Sequence, residues 1–289
     1  MGDRVTASDL FRHIGHSTHL VVIDGIRVLT DPWVSEPADR VLRHSVAPEP
    51  LPDAINLVLV SHEHEDHFDL AALRQIARSA KPGQGTTVAS GATVIVPRQA
   101  MADALRDFGF ARVIVPRDDG PIAFGPLTLR CPAGKHLVPE IVFHVSGSRG
   151  AFFFGGDTEL TPALERFAAS HPAEFALLPA ERSTFFGKRS VMPPEDARRL
   201  ADRLGARRCV LTHHESHVSR LDPRGWPFSW LVRIDVATQA ELDDRFVIPT
   251  PGLELPLFEE PRVEESSSTS TARTRGTLAA DAAPTRIAR

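Results

Sequence analysis

The feature that most constrains this chain is a run of metal-binding side chains directly after a short apolar segment. Residues 55–60 contain three β-branched residues and predict a buried strand, which leads into Ser61-His62-Glu63-His64-Glu65-Asp66-His67. Imidazole and carboxylate groups are preferred ligands of zinc-like divalent ions. Because His62 and His64 are two residues apart, a helix would direct them to nearly opposite faces. The run therefore predicts a metal site on a loop after a strand, and the alternative is a solvent-exposed loop that happens to be rich in histidine.

Three more candidate ligands lie near the ends of predicted strands elsewhere in the chain. They are His136, Asp157, which follows two glycines, and His213. Taken singly, each has a simpler explanation, because a lone loop histidine is usually a surface residue and Asp157 could cap a following helix. Taken together, polar residues at strand ends favour one shared site at the edge of a sheet.

The composition is that of an ordinary globular protein without a strongly charged surface. The 289 residues are 42% hydrophobic and 24% charged, and the formal net charge of −4 favours neither a nucleic-acid partner nor a polybasic membrane-binding surface. We expect no membrane span, since no apolar run is long enough, and we see no signal-peptide pattern. Cys131 and Cys209 match no disulfide or zinc-thiolate pattern and fit a reducing compartment. A cytoplasmic location is therefore expected, and the oligomeric state is left open.

Short apolar runs alternate with helical patterns over most of the chain. Asp24-Gly25 predicts a hairpin turn, Asp69 predicts the start of a capped helix, and residues 194–204 predict a helix with two acidic residues in its first turn. Strands outnumber helices, which is typical of sheets covered by helices. From about residue 263 a Ser- and Thr-rich composition predicts a disordered tail, so the expected division is a domain over 1–262 and a tail over 263–289.

The order of these motifs, HxHxDH followed by His, Asp and His, resembles that of the metallo-β-lactamase-fold hydrolases over most of residues 10–257. Gly15-His16-Ser17-Thr18 and Thr30-Asp31-Pro32-Trp33, with residues 192–197 and Leu211-Thr212-His213 further on, look most like one branch of that superfamily. This branch contains L-ascorbate-6-phosphate lactonase and the N-acyl phosphatidylethanolamine phospholipase D-like proteins. The resemblance implies an α/β (α+β) fold, a four-layer αββα sandwich with a dinuclear metal centre at one edge.

The resemblance also assigns the ligands of two divalent metal ions, with zinc expected first and manganese or iron as alternatives. The first ion would be bound by His62, His64 and His136 and the second by Asp66, His67 and His213, with Asp157 bridging both.

Catalytic roles beyond ligation are expected for two residues of the centre. Asp66 could accept a proton beside the reacting water, and His214, next to the last ligand, could face the substrate and protonate the leaving group. His16 and His217 are other candidate donors. Asp31 is a candidate for orienting a ligating imidazole, and a simple turn residue is the alternative.

The implied function is a metal-dependent hydrolase that uses a metal-bound hydroxide on a small ester, lactone or phosphodiester. The alternatives are a non-catalytic metal-binding scaffold, which should have lost ligands, and a di-iron redox protein on the same fold, which would usually bring a flavodoxin or rubredoxin domain. A small-molecule substrate is expected, although the site alone does not name it. Residues 216–236, which include several aromatics, could wall a substrate or pack on the core.

Overall fold

The structure is a computed structural model that describes residues 9–36, 42–79, 91–118, 120–218 and 232–258. These residues all belong to one compact unit, Met1–Glu259. The predicted tail and most of residues 216–236 lie outside the described ranges, so the division into domain and tail stays a prediction. Within the described ranges, no helix combines the length and apolar character needed to cross a membrane.

Strands outnumber helices in the described part of the chain, as the sequence predicts. In chain order the elements are β1 (Leu10–Gly15), β2 (Thr18–Ile23), β3 (Ile26–Thr30), β4 (Leu42–His44), β5 (Leu57–Leu59), α1 (Leu70–Ser79), β6 (Thr93–Ile95), α2 (Gln99–Ala104), β7 (Arg112–Ile114), β8 (Ile122–Phe124), β9 (Leu127–Arg130), β10 (Phe143–Ser146), β11 (Ala151–Phe154), α3 (Pro162–Ser170), β12 (Phe175–Pro179), β13 (Thr184–Phe185), β14 (Lys188–Arg189), α4 (Pro194–Leu204), β15 (Arg208–Thr212), β16 (Ser216–Val218), β17 (Val232–Arg233), β18 (Phe246–Val247) and β19 (Glu254–Pro256). A 3₁₀ turn, Gln239–Glu241, precedes β18.

Two seven-stranded mixed sheets form the centre of the fold. The first sheet has the order β19-β1-β2-β3-β5-β6-β7 and the second has the order β18-β15-β12-β11-β10-β9-β8. Strands β3, β5, β6 and β7 are parallel in the first sheet, as are β11, β12, β15 and β18 in the second. Within each sheet the parallel strands therefore end at the same edge, which brings their following loops together.

Three apolar clusters hold the layers together. One lies between the sheets and joins Leu57 of the first sheet to Phe152 and Phe175 of the second. The outer face of the first sheet packs against α1 and α2, and that of the second sheet packs against α3 and α4. Residues along β2 alternate between two clusters, since Val21 faces the other sheet while Leu20 packs on the helix side. The predicted αββα sandwich is confirmed.

Local sequence signals explain how several elements begin and turn. Asp24 and Gly25 both have positive φ, 48° and 76°, as a tight two-residue hairpin turn between β2 and β3 requires. Asp69 caps α1, because its Oδ1 accepts the N–H groups of the first helical turn. Helix α3 is instead capped by Thr161. Asp157 is therefore not a helix cap, which removes the simpler explanation for that residue.

Candidate metal centre

The predicted ligands converge at one edge of the sandwich, on loops that follow strands of both sheets. The loop after β5 carries the histidine run, and loops after β9, β11 and β15 carry the other three. Two of the donor groups that form there hold the predicted ligands, and all donor atoms of each lie within 4.8 Å of one another. The first group is His62, His64, His136 and Asp157, and the second is His16, Asp66, His67 and His213. All seven predicted ligands are brought together, and His16 joins them.

The first group places three imidazole nitrogens side by side. His62 Nε2 lies 2.9 Å from His64 Nδ1, and His136 Nε2 lies 3.1 Å from that same atom. Asp157 Oδ2 is 3.8 Å from His62 Nε2 and 4.0 Å from His136 Nε2. Burial, together with the nearby His67, holds the pKa of His62 well below its usual value. The neutral imidazole that results is the form that binds a metal ion.

The second group is arranged around two carboxylates. Asp66 Oδ2 is 3.3 Å from His213 Nε2 and 3.5 Å from His67 Nε2, while Asp157 Oδ2 is 3.1 Å and 3.3 Å from the same two nitrogens. Burial lowers the pKa of His67, but Asp157, Asp66 and Asp31 outweigh it and raise that pKa well above its usual value. The carboxylates thus attract positive charge, and a cation would replace the proton on this imidazole.

Two unpartnered atoms show that this arrangement fits metal ions. Asp157 Oδ1 and His67 Nε2 are buried and find no hydrogen-bond partner among the described residues. Buried polar atoms normally have partners, and a metal ion held at this point would satisfy both atoms. The donor set contains only imidazole and carboxylate, which suits zinc, manganese or iron.

A single carboxylate orients imidazoles of both groups. Asp31 Oδ2 accepts hydrogen bonds from His67 Nδ1 at 2.6 Å and from Ser61 Oγ at 2.6 Å, and its Oδ1 accepts the Ser61 N–H at 2.7 Å. Ser61 Oγ in turn lies 2.9 Å from His62 Nδ1. Asp31 therefore fixes His67 directly and His62 through one hydroxyl, and the expected orienting contact is confirmed.

Two further carboxylates support the centre and were not predicted from the sequence. Glu181 hydrogen-bonds His213 Nδ1, and Glu140 Oε1 accepts the backbone N–H of Asp157 at 2.7 Å. Burial, with Asp157 nearby, raises the pKa of Glu140 well above its usual value. Glu181 follows buried strand β12. Its position after a strand, which made Asp157 a candidate, could therefore have identified it as well. No comparable sequence signal marks Glu140.

The backbone is strained at the centre itself. His16, Asp31 and His213 have φ of 53°, 28° and 59°, in the left-handed region that side chains rarely adopt. Gly156 has φ of 53°, and a Cβ there would lie 2.5 Å from Glu140 Oε1 and 2.7 Å from Ser61 Cβ. Strain of this kind clusters where the surrounding structure fixes a functional geometry.

The other predicted site residues lie around this centre. His214 Nε2 hydrogen-bonds Pro249 O at 2.9 Å, and its ring stacks on His13 with centroids 5.6 Å apart. Its catalytic role, like that of Asp66, stays a prediction. His217 is exposed and lies 3.4 Å from Ser45 Oγ.

Basic side chains near the centre form ion pairs on the surface. Arg182 pairs with Glu195 at 3.2 Å and with Glu241, and Lys135 pairs with Glu159 at 3.1 Å. These ion pairs are typical of ordinary surface charge, and they engage both side chains away from a dedicated anion site.

The fold and the two donor groups define a member of the metallo-β-lactamase superfamily. A family model described as the Beta-lactamase superfamily domain matches residues 26–214. Because this is more than half of the chain, the protein belongs to that family.

Two relatives illustrate how far the similarity extends. An uncharacterized protein of Mycobacterium tuberculosis is 29% identical over 184 residues, 57% of this chain and 46% of its own length. The chain thus spans about half of that relative. A UPF0173 metal-dependent hydrolase of Pyrobaculum neutrophilum is 23% identical over 242 residues, 80% of this chain and 94% of its own length.

Solved structures share the fold at low sequence identity. The isothiocyanate hydrolase from Delia radicum gut bacteria has a TM-score of 0.62 and 19% identity, covering 85% of this chain and 98% of its own. CmlA, a diiron β-hydroxylase from Streptomyces venezuelae, has a TM-score of 0.58 and 15% identity, covering 82% of this chain and 49% of its own. At such identities the likeness shows the fold alone.

Proposed function

We propose that this protein is a metal-dependent hydrolase with a dinuclear centre, with zinc as the preferred metal. In this proposal His62, His64 and His136 bind the first ion, Asp66, His67 and His213 bind the second, and Asp157 binds both. The observation that carries it is the position of Asp157 Oδ2 between the groups, 3.8 Å from His62 Nε2 and 3.1 Å from His213 Nε2. Membership of a family with named metal-dependent hydrolases supports the same reading.

Residues around the proposed ions have separate roles in hydrolysis. Two divalent ions, when bound, lower the pKa of water and polarise a substrate oxygen. Asp31 keeps His67 and, through Ser61, His62 in the tautomers that ligate. Asp66 directs Oδ2 at imidazole nitrogens of the second group, which leaves its Oδ1 to accept a proton. We propose no serine or cysteine nucleophile, since bound ions would supply activated water.

The substrate we propose is a small ester, lactone or phosphodiester, taken without a nucleic-acid partner. The lactonase and phospholipase D-like branch is the finer assignment, and it depends on sequence motifs alone. Isothiocyanates enter the test as another substrate class, because a structural neighbour is named for hydrolysing them. The cytoplasmic location stays an expectation.

The competing functions are a di-iron redox protein and a non-catalytic scaffold. The first is favoured by one observation, the fold shared with a diiron hydroxylase. Protein loaded separately with zinc, manganese and iron distinguishes them. Hydrolysis by the zinc or manganese form supports our proposal, oxygen-dependent turnover by the iron form alone supports the redox protein, and no turnover by any form supports the scaffold.

Metal analysis of the purified chain is the direct test. We expect up to two ions per chain, and His64→Ala and Asp157→Ala should each reduce both the metal content and the hydrolysis of a responsive lactone, ester or phosphodiester. His144→Ala is the matched control, because this buried histidine bonds Pro172 O on the helix-covered side of the second sheet. Wild-type protein that binds no divalent metal under metal-replete conditions would refute the proposal.

A further inference from the structure

We infer that His16 is an eighth ligand of the centre, which binds the second ion together with Asp66, His67 and His213. The inference rests on the proposed function and extends its ligand set by one residue. It changes the role expected for His16 from proton donor to metal ligand.

The distances in the second group carry the inference. His16 Nε2 lies 3.3 Å from Asp66 Oδ2, the same distance that separates His213 Nε2 from that oxygen, and His67 Nε2 lies 3.5 Å from it. Ligands about 2.0–2.1 Å from one zinc ion lie about 2.9–3.6 Å apart when four or five of them share it. Three imidazoles therefore approach Asp66 Oδ2 at the separation expected of ligands that share one ion.

The environment of the His16 ring places it among the ligands and away from solvent. The ring is fully buried, 4.4 Å from the ring of His213 and 5.1 Å from that of Trp33, measured between centroids. A residue that protonates a leaving group must reach the substrate, so an open position would be needed. A buried ring that directs Nε2 at Asp66 is suited to ligation.

The turn between β1 and β2 is built to hold His16 in this position. Its backbone has φ of 53°, and the N–H of His16 donates to Glu215 Oε2 at 2.8 Å. His13 Nε2 approaches the same carboxylate oxygen at 3.0 Å. Glu215 follows β15, in the same loop as His213. One buried carboxylate thus fixes the backbone of this strained residue from the opposite sheet, as expected where the surrounding structure holds a functional geometry.

The consequence is that the two ions are unequal. With His16 the second ion would have four protein ligands in addition to the shared Asp157, whereas the first would have three in addition to it. The second ion should accordingly be held more tightly, and the first would keep free positions for water and substrate.

Substitution of His16 by the matched pair Glu and Gln tests the inference. Both side chains reach about as far as an imidazole and both carry the same left-handed backbone cost, so only the metal-binding carboxylate distinguishes them. Chelator-stripped protein is titrated with Zn²⁺ against a chromophoric chelator, and Co²⁺-loaded protein is examined by absorption spectroscopy. His144→Gln serves as the remote control.

We expect wild type and His16→Glu to bind two ions, and His16→Gln to bind one with the affinity for the other reduced at least tenfold. Removal of a metal ligand should lower metal affinity by no less than the 10–100-fold that is typical when a residue supporting a ligand is removed. The Co²⁺ spectrum of His16→Gln should also change. The inference is overturned if His16→Gln binds two ions with the affinity and the Co²⁺ spectrum of wild type. It is also overturned if the Glu and Gln variants lose metal affinity equally. Wild-type protein that takes up no ion instead contradicts the proposed function.

Discussion

Replacing Asp31 by Asn tests how one carboxylate controls both halves of the centre. The carboxylate accepts three hydrogen bonds, from the N–H and Oγ of Ser61 and from Nδ1 of His67. In the variant the amide oxygen must take the position of Oδ1, because the Ser61 N–H points there. The amide nitrogen then takes the position of Oδ2 and donates toward His67 Nδ1. Because two donors cannot form a hydrogen bond with each other, His67 Nδ1 must give up its proton.

The expected result follows from that tautomer change. A proton moved to Nε2 of His67 occupies the lone pair that the second ion requires, so affinity for this ion should fall by about 10–100-fold. This equals about 1.4–2.8 kcal/mol, which agrees with the value of about 1.5–3 kcal/mol for a hydrogen bond to a charged group. The left-handed backbone, with φ of 28°, is tolerated by Asn as well as by Asp.

The assay is competitive Zn²⁺ titration in a His64→Ala background, which leaves only the second group intact. Ser61→Ala is the matched control, since it removes the hydroxyl that supports His62 and keeps the direct bond between Asp31 and His67. Wild-type Zn²⁺ affinity in Asp31→Asn would refute the reasoning, and so would an equal loss in Ser61→Ala. Circular dichroism checks that each variant folds.

Two further predictions concern the frame of the centre. Gly156→Ala should lower the melting temperature by more than Gly25→Ala. Both substitutions incur a cost of about 1–2 kcal/mol for the left-handed backbone, but only the one at Gly156 would place a Cβ 2.7 Å from Ser61 Cβ. Equal melting temperatures of the two variants would contradict this prediction. Burial raises the pKa of both Cys131 and Cys209 to about 12, so neither thiol should react with a disulfide reagent at pH 8 in the native state, whereas both should react in denaturant. Rapid native labelling would show that these sites open.

The sequence predicted the parts of the centre that depend on local pattern. The spacing of His62 and His64 excluded a helix, and the strand-end positions of Asp157 and His213 placed them at the edge where they lie. The structure brings these residues together, while their role as ligands remains a prediction for metal analysis.

The sequence pattern could not predict contacts between residues that are far apart in the sequence. Glu140 reaches Asp157 because the chain folds back on itself between β9 and β10, where Gly134 N–H bonds Glu140 O at 3.0 Å. Glu215 reaches the backbone of His16 from the opposite sheet. Such contacts follow from the tertiary arrangement of the strands, so no periodicity or spacing reports them.

The origin of the donors in both sheets has a consequence for folding. Loops of the first sheet carry His16, Asp31 and the histidine run, whereas loops of the second carry Asp157 and His213. Ions bound between them would cross-link chain segments that are remote in sequence, much as a long-range disulfide does, and would oppose separation of the sheets. Neither sheet alone holds all the proposed ligands of one ion. Metal uptake during refolding should therefore report the docking of the two sheets, rather than the formation of either one.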